Sequence, residues 1–190
     1  MNLTETQLSS EPIFDGKFVT IARDTVRLPN GNQGYRIVIR HPGAACVLAV
    51  TEADEVVLVR QWRYATGQAL LELPAGKLDP GEPPLHCARR ELREETGYTA
   101  REWACAGLMH PTPAYSTEGI HLWFARGLTA GPRQLDAGEH LHVFTATVPE
   151  LLDWCRQGRV TDSKTLAAAL WLQNYLSGAW PLDWQRDESA

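Results

Sequence analysis

Three glutamates, Glu91, Glu94 and Glu95, stand within five residues, with Arg89, Arg90 and Arg93 interleaved among them. At 100° per helical residue the three carboxylates share an arc of about 100°. Crowded carboxylates repel one another unless positive charge sits between them. Oxygen donors in that density suit a hard cation such as Mg²⁺ or Mn²⁺. The arginines offer partial neutralisation from the side. Gly76 lets the backbone approach closely, which makes the Ala75 carbonyl a further oxygen donor. A solvated helix face with ordinary Glu–Arg pairs has the same composition, so spacing must decide between the two readings.

The spacing is particular. Gly76 is followed after five residues by Glu82, and after seven more by Arg90-Glu91-Leu92; Glu94-Glu95 and Gly97-Tyr98 follow, each after one residue. Every fixed position of the pattern GX5EX7REUXEEXGU, with U apolar, is filled, and only Tyr98 is unusual in its slot. The chain resembles the Nudix hydrolases. That resemblance implies a loop–helix–loop that holds divalent metal and cleaves a nucleoside diphosphate linked to another moiety. It implies Glu91 and Glu95 as metal ligands, Glu94 supporting or ligating, and the Ala75 carbonyl as the backbone ligand. Glu82 and Arg90 take structural roles, with Arg90 holding the glutamates by ion pairs.

The flanks resemble one branch, the ADP-ribose pyrophosphatases. His110-Pro111-Thr112-Pro113-Ala114-Tyr115-Ser116-Thr117-Glu118 is similar to that group's P-S-P-G-F-S-x-E segment, with Pro113 sixteen residues past Gly97. The stretches Val59–Tyr64, Leu71–Lys77, Arg40–Ala44 and Asp162–Thr165 are similar as well, so the resemblance runs over about 15–175. Ala114 in place of the usual glycine, and His142 where an acid is common, depart from it. The resemblance implies Mg²⁺-dependent hydrolysis of ADP-ribose to AMP and ribose 5-phosphate. The alternatives are another nucleoside diphosphate derivative such as GDP-mannose, or a protein that binds ADP-ribose without cleaving it. It also implies a homodimer whose N-terminal subdomains exchange and build the adenine site.

The substrate-binding candidates are Arg40 and Arg63, whose planar guanidinium groups suit phosphate oxygens. Tyr35 or Trp62 would stack on a base. Glu72 would bond a ribose hydroxyl or simply face solvent, and Pro113 and Glu118 belong to the loop beside the substrate. Glu139, after Gly138, is the candidate base for the attacking water. The box glutamates, Glu94 among them, and His140 or His142 compete for that role.

These residues need a frame. Alternation over 13–41, broken by Pro29-Asn30-Gly31-Asn32, predicts a small antiparallel sheet. Strands follow at 44–51, 56–62 and 69–73. The helix begins at Pro83 or Pro84 and stops at Gly97, with Leu85, Ala88 and Leu92 on its core stripe. Strands at 100–108, 121–125 and 142–147 precede helices at 148–156 and 162–176, the second capped by Asp162 or Ser163. The expectation is an α/β (α+β) chain: a Nudix α/β/α sandwich with a mixed sheet over 43–178, an N-terminal β subdomain over 13–42, and tails at 1–12 and 179–190.

Composition agrees. The 190 residues are 44% hydrophobic and 22% charged, which excludes disordered and coiled-coil classes. With 18 Lys and Arg against 23 Asp and Glu, the net charge is −5, so no global field draws nucleic acid. The four cysteines show no CxxC and no zinc spacing, which fits reduced, mostly buried thiols. A polar start without a signal-like apolar run, and no stretch long enough to span a bilayer, predict a cytoplasmic protein without membrane contact.

Overall fold

A computed structural model describes residues 1–135 and 137–187. Asp136, in the loop before Glu139, and 188–190 of the expected C-terminal tail lie outside the described residues. The chain divides into two compact units, one of Met1–Gly43 with His110–Gly119 and one of Ala44–Met109 with Ile120–Ala190.

In the first unit β1 (Thr6–Asp15), β2 (Thr20–Arg27) and β3 (Gln33–Arg40) form an antiparallel sheet in the order β1-β2-β3. The Asn-Gly turn closes the β2–β3 hairpin: Leu28 donates to the Asn32 carbonyl at 2.8 Å, and Gly31 takes a positive φ of 87°. The expected tail over 1–12 is corrected here. From Thr6 it is the first strand, paired to β2 along its whole length. All ten of its side chains are exposed, so it lacks the hydrophobic alternation that would have revealed it. The segment 110–119 joins this unit, with Ile39 donating to the Tyr115 carbonyl at 2.7 Å and Thr117 to that of Ile39 at 2.9 Å.

The second unit holds two sheets and three helices. The strands are β4 (Ala44–Ala49), β5 (Glu55–Arg63), β6 (Gln68–Glu72), β7 (Ala75–Lys77), β8 (Tyr98–Met109), β9 (Ile120–Ala130), β10 (Leu141–Thr147) and β11 (Gln185–Arg186). One sheet runs β10-β5-β6. The other, β11-β8-β9-β4-β7, is mixed, with β4 and β9 parallel. β4 is buried along its whole length, which explains its unbroken apolar run. Its alternate side chains feed two cores. Cys46 and Leu48 join Val56, Leu58, Phe124, Leu151 and Leu172, whereas Ala45 and Val47 join Cys87, Ala88, Leu92 and Trp103. The first core packs against α2 (Val148–Arg156) and α3 (Ser163–Leu176), the second against α1 (Pro84–Glu91). This is the α/β/α layering with a mixed sheet that the sequence predicts.

The C-terminal segment, expected to be a tail, is likewise corrected. Gln185 and Arg186 pair with Trp103 and Glu102 of β8. Trp184 donates to the Tyr175 hydroxyl at 3.1 Å, and the Arg126 guanidinium lies 4.0 Å over its ring. Of the four thiols, Cys46 and Cys87 are buried, Cys155 is half-buried and Cys105 is exposed. Among the described residues no helix is long and apolar enough to cross a membrane.

Candidate active site

The site grows from the loop between β7 and α1 and from the helix that follows. Pro84 occupies the first turn, where its missing N–H costs no hydrogen bond. Ala88 and Leu92, both fully buried, hold the helix on the second core. Beyond Glu91 the helix widens into a π turn, Leu92–Thr96, and stops at Gly97, whose φ is 79°. π turns inside helices recur at functional sites. This one carries Glu94 and Glu95.

Gly76 has a steric reason. A Cβ there would fall 1.8 Å from Glu91 Oε1, so the Glu91 carboxylate lies directly against the backbone. Pairing with Ala45 of β4 fixes that backbone. One residue earlier, the Ala75 N–H donates to Glu95 Oε2 at 3.2 Å. The loop therefore touches two box glutamates at consecutive residues.

Arg90 organises the rest. Its Nε and Nη2 bond the two oxygens of Glu82 at 3.0 and 2.9 Å, and Nη2 also reaches the Lys77 carbonyl at 3.0 Å. Its Nη1 reaches Glu91 at 2.5 Å and Glu94 at 3.1 Å. Glu82 first, and then Glu91 and Glu94, hold the guanidinium firmly charged, above its ordinary pKa, against the cost of partial burial. Glu82 is correspondingly lowered, chiefly by Arg90, and it also accepts from the Asp79 N–H at 3.0 Å.

For the carboxylates farther in, burial outweighs such compensation. Burial, together with the Glu91 and Glu139 carboxylates, pushes the Glu95 carboxyl up to about 8. Glu91 is also raised, by burial and by Glu94 and Glu139, against the pull of Arg90. Glu139 thus acts on both inner glutamates from its loop before β10, where Gln61 Nε2 stands 3.4 Å from its Oε1. Among the described residues no three His, Cys, Asp or Glu side chains already converge in a ligating arrangement. The donor set nonetheless fits a hard divalent cation. It is all oxygen, it is buried, and its negative charge is incompletely balanced.

The substrate candidates are distributed unevenly. Glu72 does not face solvent. It is 1% exposed and accepts both Arg63 Nε at 2.6 Å and Arg63 Nη2 at 2.7 Å. Arg63 thus gives two of its nitrogens to Glu72. The Lys164 ammonium also bonds Glu72 and reaches Asp162 at 3.0 Å. Asp162 caps α3 through the Thr165 N–H at 3.0 Å, and the Thr165 hydroxyl accepts from the Leu73 N–H at 2.9 Å. A buried ionic chain therefore ties the start of α3 to the strand that leads into the box. In the sequence Asp162–Thr165 shows a family likeness and a helix cap; a lysine two residues after the capping aspartate is the signal that points to the ionic chain.

Of the remaining candidates, Arg40, Tyr35, Pro113 and Glu118 belong to the first unit, and Trp62, His140 and His142 to the second. Arg40 pairs with the buried Asp24 at 3.0 Å, and Tyr35 is 71% exposed. Pro113 lies on the exposed turn, and Glu118 stands 3.9 Å from His41 Nε2. Trp62 is 61% exposed and thus no core residue. His142 stacks on Phe144 with ring centroids 6.0 Å apart, and His140 is exposed in its loop.

A helix and π turn carrying three carboxylates, one of them cradled on Gly76, with a left-handed stop at Gly97 and an α/β/α sandwich beneath, define the class as a Nudix-type hydrolase. The chain belongs to the Nudix family: the NUDIX domain matches residues 39–169, and a nucleoside diphosphate sugar hydrolase N-terminal domain matches 5–39. It is 38% identical over 171 residues to the methanol dehydrogenase activator of Bacillus methanolicus, covering 89% of this chain and 92% of that one. It is 37% identical over 174 residues to an ADP-ribose pyrophosphatase of Bacillus subtilis, covering 90% and 94%. Among solved structures, an ADP compounds hydrolase shares the fold with a TM-score of 0.81 at 22% identity, covering 94% and 97%.

Proposed function

We propose that the protein hydrolyses the diphosphate of ADP-ribose to AMP and ribose 5-phosphate. One observation carries the reading: buried, mutually repelling Glu91 and Glu95 lie against the backbone at Gly76 and Ala75. The 37% identical relative named ADP-ribose pyrophosphatase supports the choice of substrate. Glu91 and Glu95, with Glu94 and the Ala75 carbonyl, would hold Mg²⁺, with Mn²⁺ as a substitute. When bound, such a cation neutralises phosphate charge and acidifies the attacking water.

The chain's own groups do the rest. The Ala75 N–H orients Glu95, and Arg90 orients Glu91 and Glu94. Glu139 removes a proton from the attacking water, whose oxygen joins phosphorus as the P–O bond of the bridge breaks. By the family resemblance, Arg63 and Arg40 would bind the diphosphate or terminal ribose, Tyr35 would stack on the base, and Pro113 and Glu118 would belong to the loop beside the substrate. Glu72 acts through Arg63. The protein works as a homodimer in the cytoplasm.

The test is Mg²⁺-dependent turnover of ADP-ribose in Glu91→Gln and Glu95→Gln. Both should lose turnover by orders of magnitude, because the amide keeps the size but not the ligand charge. Near-native turnover in both variants sinks the proposal.

A further inference from the structure

The buried chain Arg63–Glu72–Lys164–Asp162 contains one member that a helix start disfavours. Lys164 stands in the first turn of α3, two residues after the capping Asp162, where the helix dipole opposes a cation. It is also only 7% exposed, and burial opposes its charge. Two costs thus fall on one side chain. Stability is a weak explanation for them, because an apolar pair of similar volume commonly stabilises as well as a buried ion pair.

Placement supplies a stronger one. Arg63 ends β5 and Glu72 ends β6. Glu72 pairs opposite Val59, and strand alternation puts Val59, Gln61 and Arg63 on one face of β5. The same face meets Glu139, which Gln61 Nε2 approaches to 3.4 Å. Glu72 first, and then Asp162 and Glu95, hold the Arg63 guanidinium above its ordinary pKa against burial. Arg63 gives Nε and Nη2 to Glu72, yet its side chain is 40% exposed, so the rest of the fork can meet a ligand.

Glu72 can hold Arg63 in this way only if it stays charged and fixed. Its Oε1 accepts from Arg63 Nε, while its Oε2 accepts from both Arg63 Nη2 and the Lys164 ammonium. Lys164 is held in turn by Asp162 at 3.0 Å, and the Thr165 N–H and hydroxyl donate to Asp162 at 3.0 and 2.6 Å. The same hydroxyl accepts from the N–H of Leu73, the residue after Glu72, at 2.9 Å. The start of α3 therefore grips Glu72 by its side chain and the next residue by its backbone. With Lys164 in place, Glu72 keeps a buried counter-charge even when Arg63 turns toward an anion.

We propose that Lys164 is a positioning residue for substrate binding: acting through Glu72, it sets the place from which Arg63 reaches the diphosphate or terminal ribose of ADP-ribose. The inference rests on the substrate-binding role proposed for Arg63. Lys164 itself touches no substrate. Loss of its ammonium makes Glu72 depend on Arg63 and draws the guanidinium inward, away from the anion.

The experiment is steady-state kinetics with ADP-ribose at saturating Mg²⁺ in wild type, Arg63→Gln, Lys164→Met and the double variant, each with its melting temperature. Lys164→Met and Arg63→Gln should each raise KM by about tenfold with kcat within about threefold of wild type. The double variant should keep a KM within about twofold of Arg63→Gln, because the lysine reaches the substrate only through that arginine. Effects on KM that multiply in the double variant overturn the inference. So does a KM in Lys164→Met within about twofold of wild type. A loss confined to kcat overturns it as well, placing the lysine's effect on Glu95, whose charged form burial opposes and Lys164 favours. If Lys164→Met does not fold, Lys164→Gln, whose uncharged amide can still donate to Glu72, carries the same expectations. Failure of both to fold makes the lysine structural and overturns the inference. A wild type that does not turn over ADP-ribose refutes the substrate reading and this inference with it; wild-type turnover with unchanged KM in the lysine variant refutes the inference alone.

Discussion

At the scale of single residues, the site divides by how its negative charge is met. Glu82 and Glu94 lean on Arg90, which has a nitrogen for each. Glu95 has a backbone N–H and little else, and its carboxyl rises to about 8. Glu139 adds to that strain from a loop. A carboxylate so placed can take a proton from water, and general-base catalysis is worth about 10²-fold or more. Glu139→Gln should therefore lower kcat by about 10²-fold while leaving KM little changed. Steady-state kinetics beside Glu94→Gln makes the comparison. If Glu139→Gln stays within a few-fold of wild type, the base is a box glutamate or His140, and the metal ligands stand unaffected. The box residues were legible because their spacing matches a family pattern, and for Gly76 beneath Glu91 the structure supplies the steric reason. The partner of Glu72 was not legible, because Lys164 lies 92 positions away and strand alternation alone cannot say which face of β6 is buried.

At the scale of elements, the chain Arg63–Glu72–Lys164–Asp162 joins β5, β6 and the N-terminus of α3. Burial would raise Glu72, but the hydrogen bonds from Arg63 and the Lys164 ammonium hold it below its ordinary value of 4.5. Burial would lower Lys164, yet Asp162 and Glu72 hold it above 10.5. A carboxyl depressed on folding stabilises above its unfolded pKa and loses that contribution as pH falls through its folded one. An ammonium raised on folding stabilises below its unfolded pKa and loses that contribution as pH rises through its folded one. This network thus contributes fully between about pH 5 and 10. Thermal melts of wild type should show stability falling below about pH 4.5, from this group among others. Glu72→Gln should melt lower at pH 7 and show a shallower acid decline. An acid decline as steep as wild type would remove Glu72 as a contributor. Helix positions were legible from Pro84, Gly97 and the Asp162 cap. β1 was not, since neither of its faces is buried, and neither was β11, which is two residues long.

At the scale of the whole molecule, the first unit exposes Ile13, Phe14, Phe18, Tyr35 and Ile37, each about half or more accessible. The proposed homodimer would have these exposed apolar side chains to cover. Light scattering should give about twice the chain's 21.2 kDa; a value of one chain at micromolar concentration would refute the homodimer. The sequence could not show that these side chains are exposed, because β3 reads as ordinary alternation until its neighbours are known. Whether this Nudix site is fitted to ADP-ribose is decided by a substrate panel. With Mg²⁺ present and products separated by chromatography, kcat/KM should be highest for ADP-ribose among GDP-mannose, NADH and diadenosine polyphosphates, with AMP and ribose 5-phosphate as the products. A higher kcat/KM for GDP-mannose, or tight binding of ADP-ribose without cleavage, would contradict that fit.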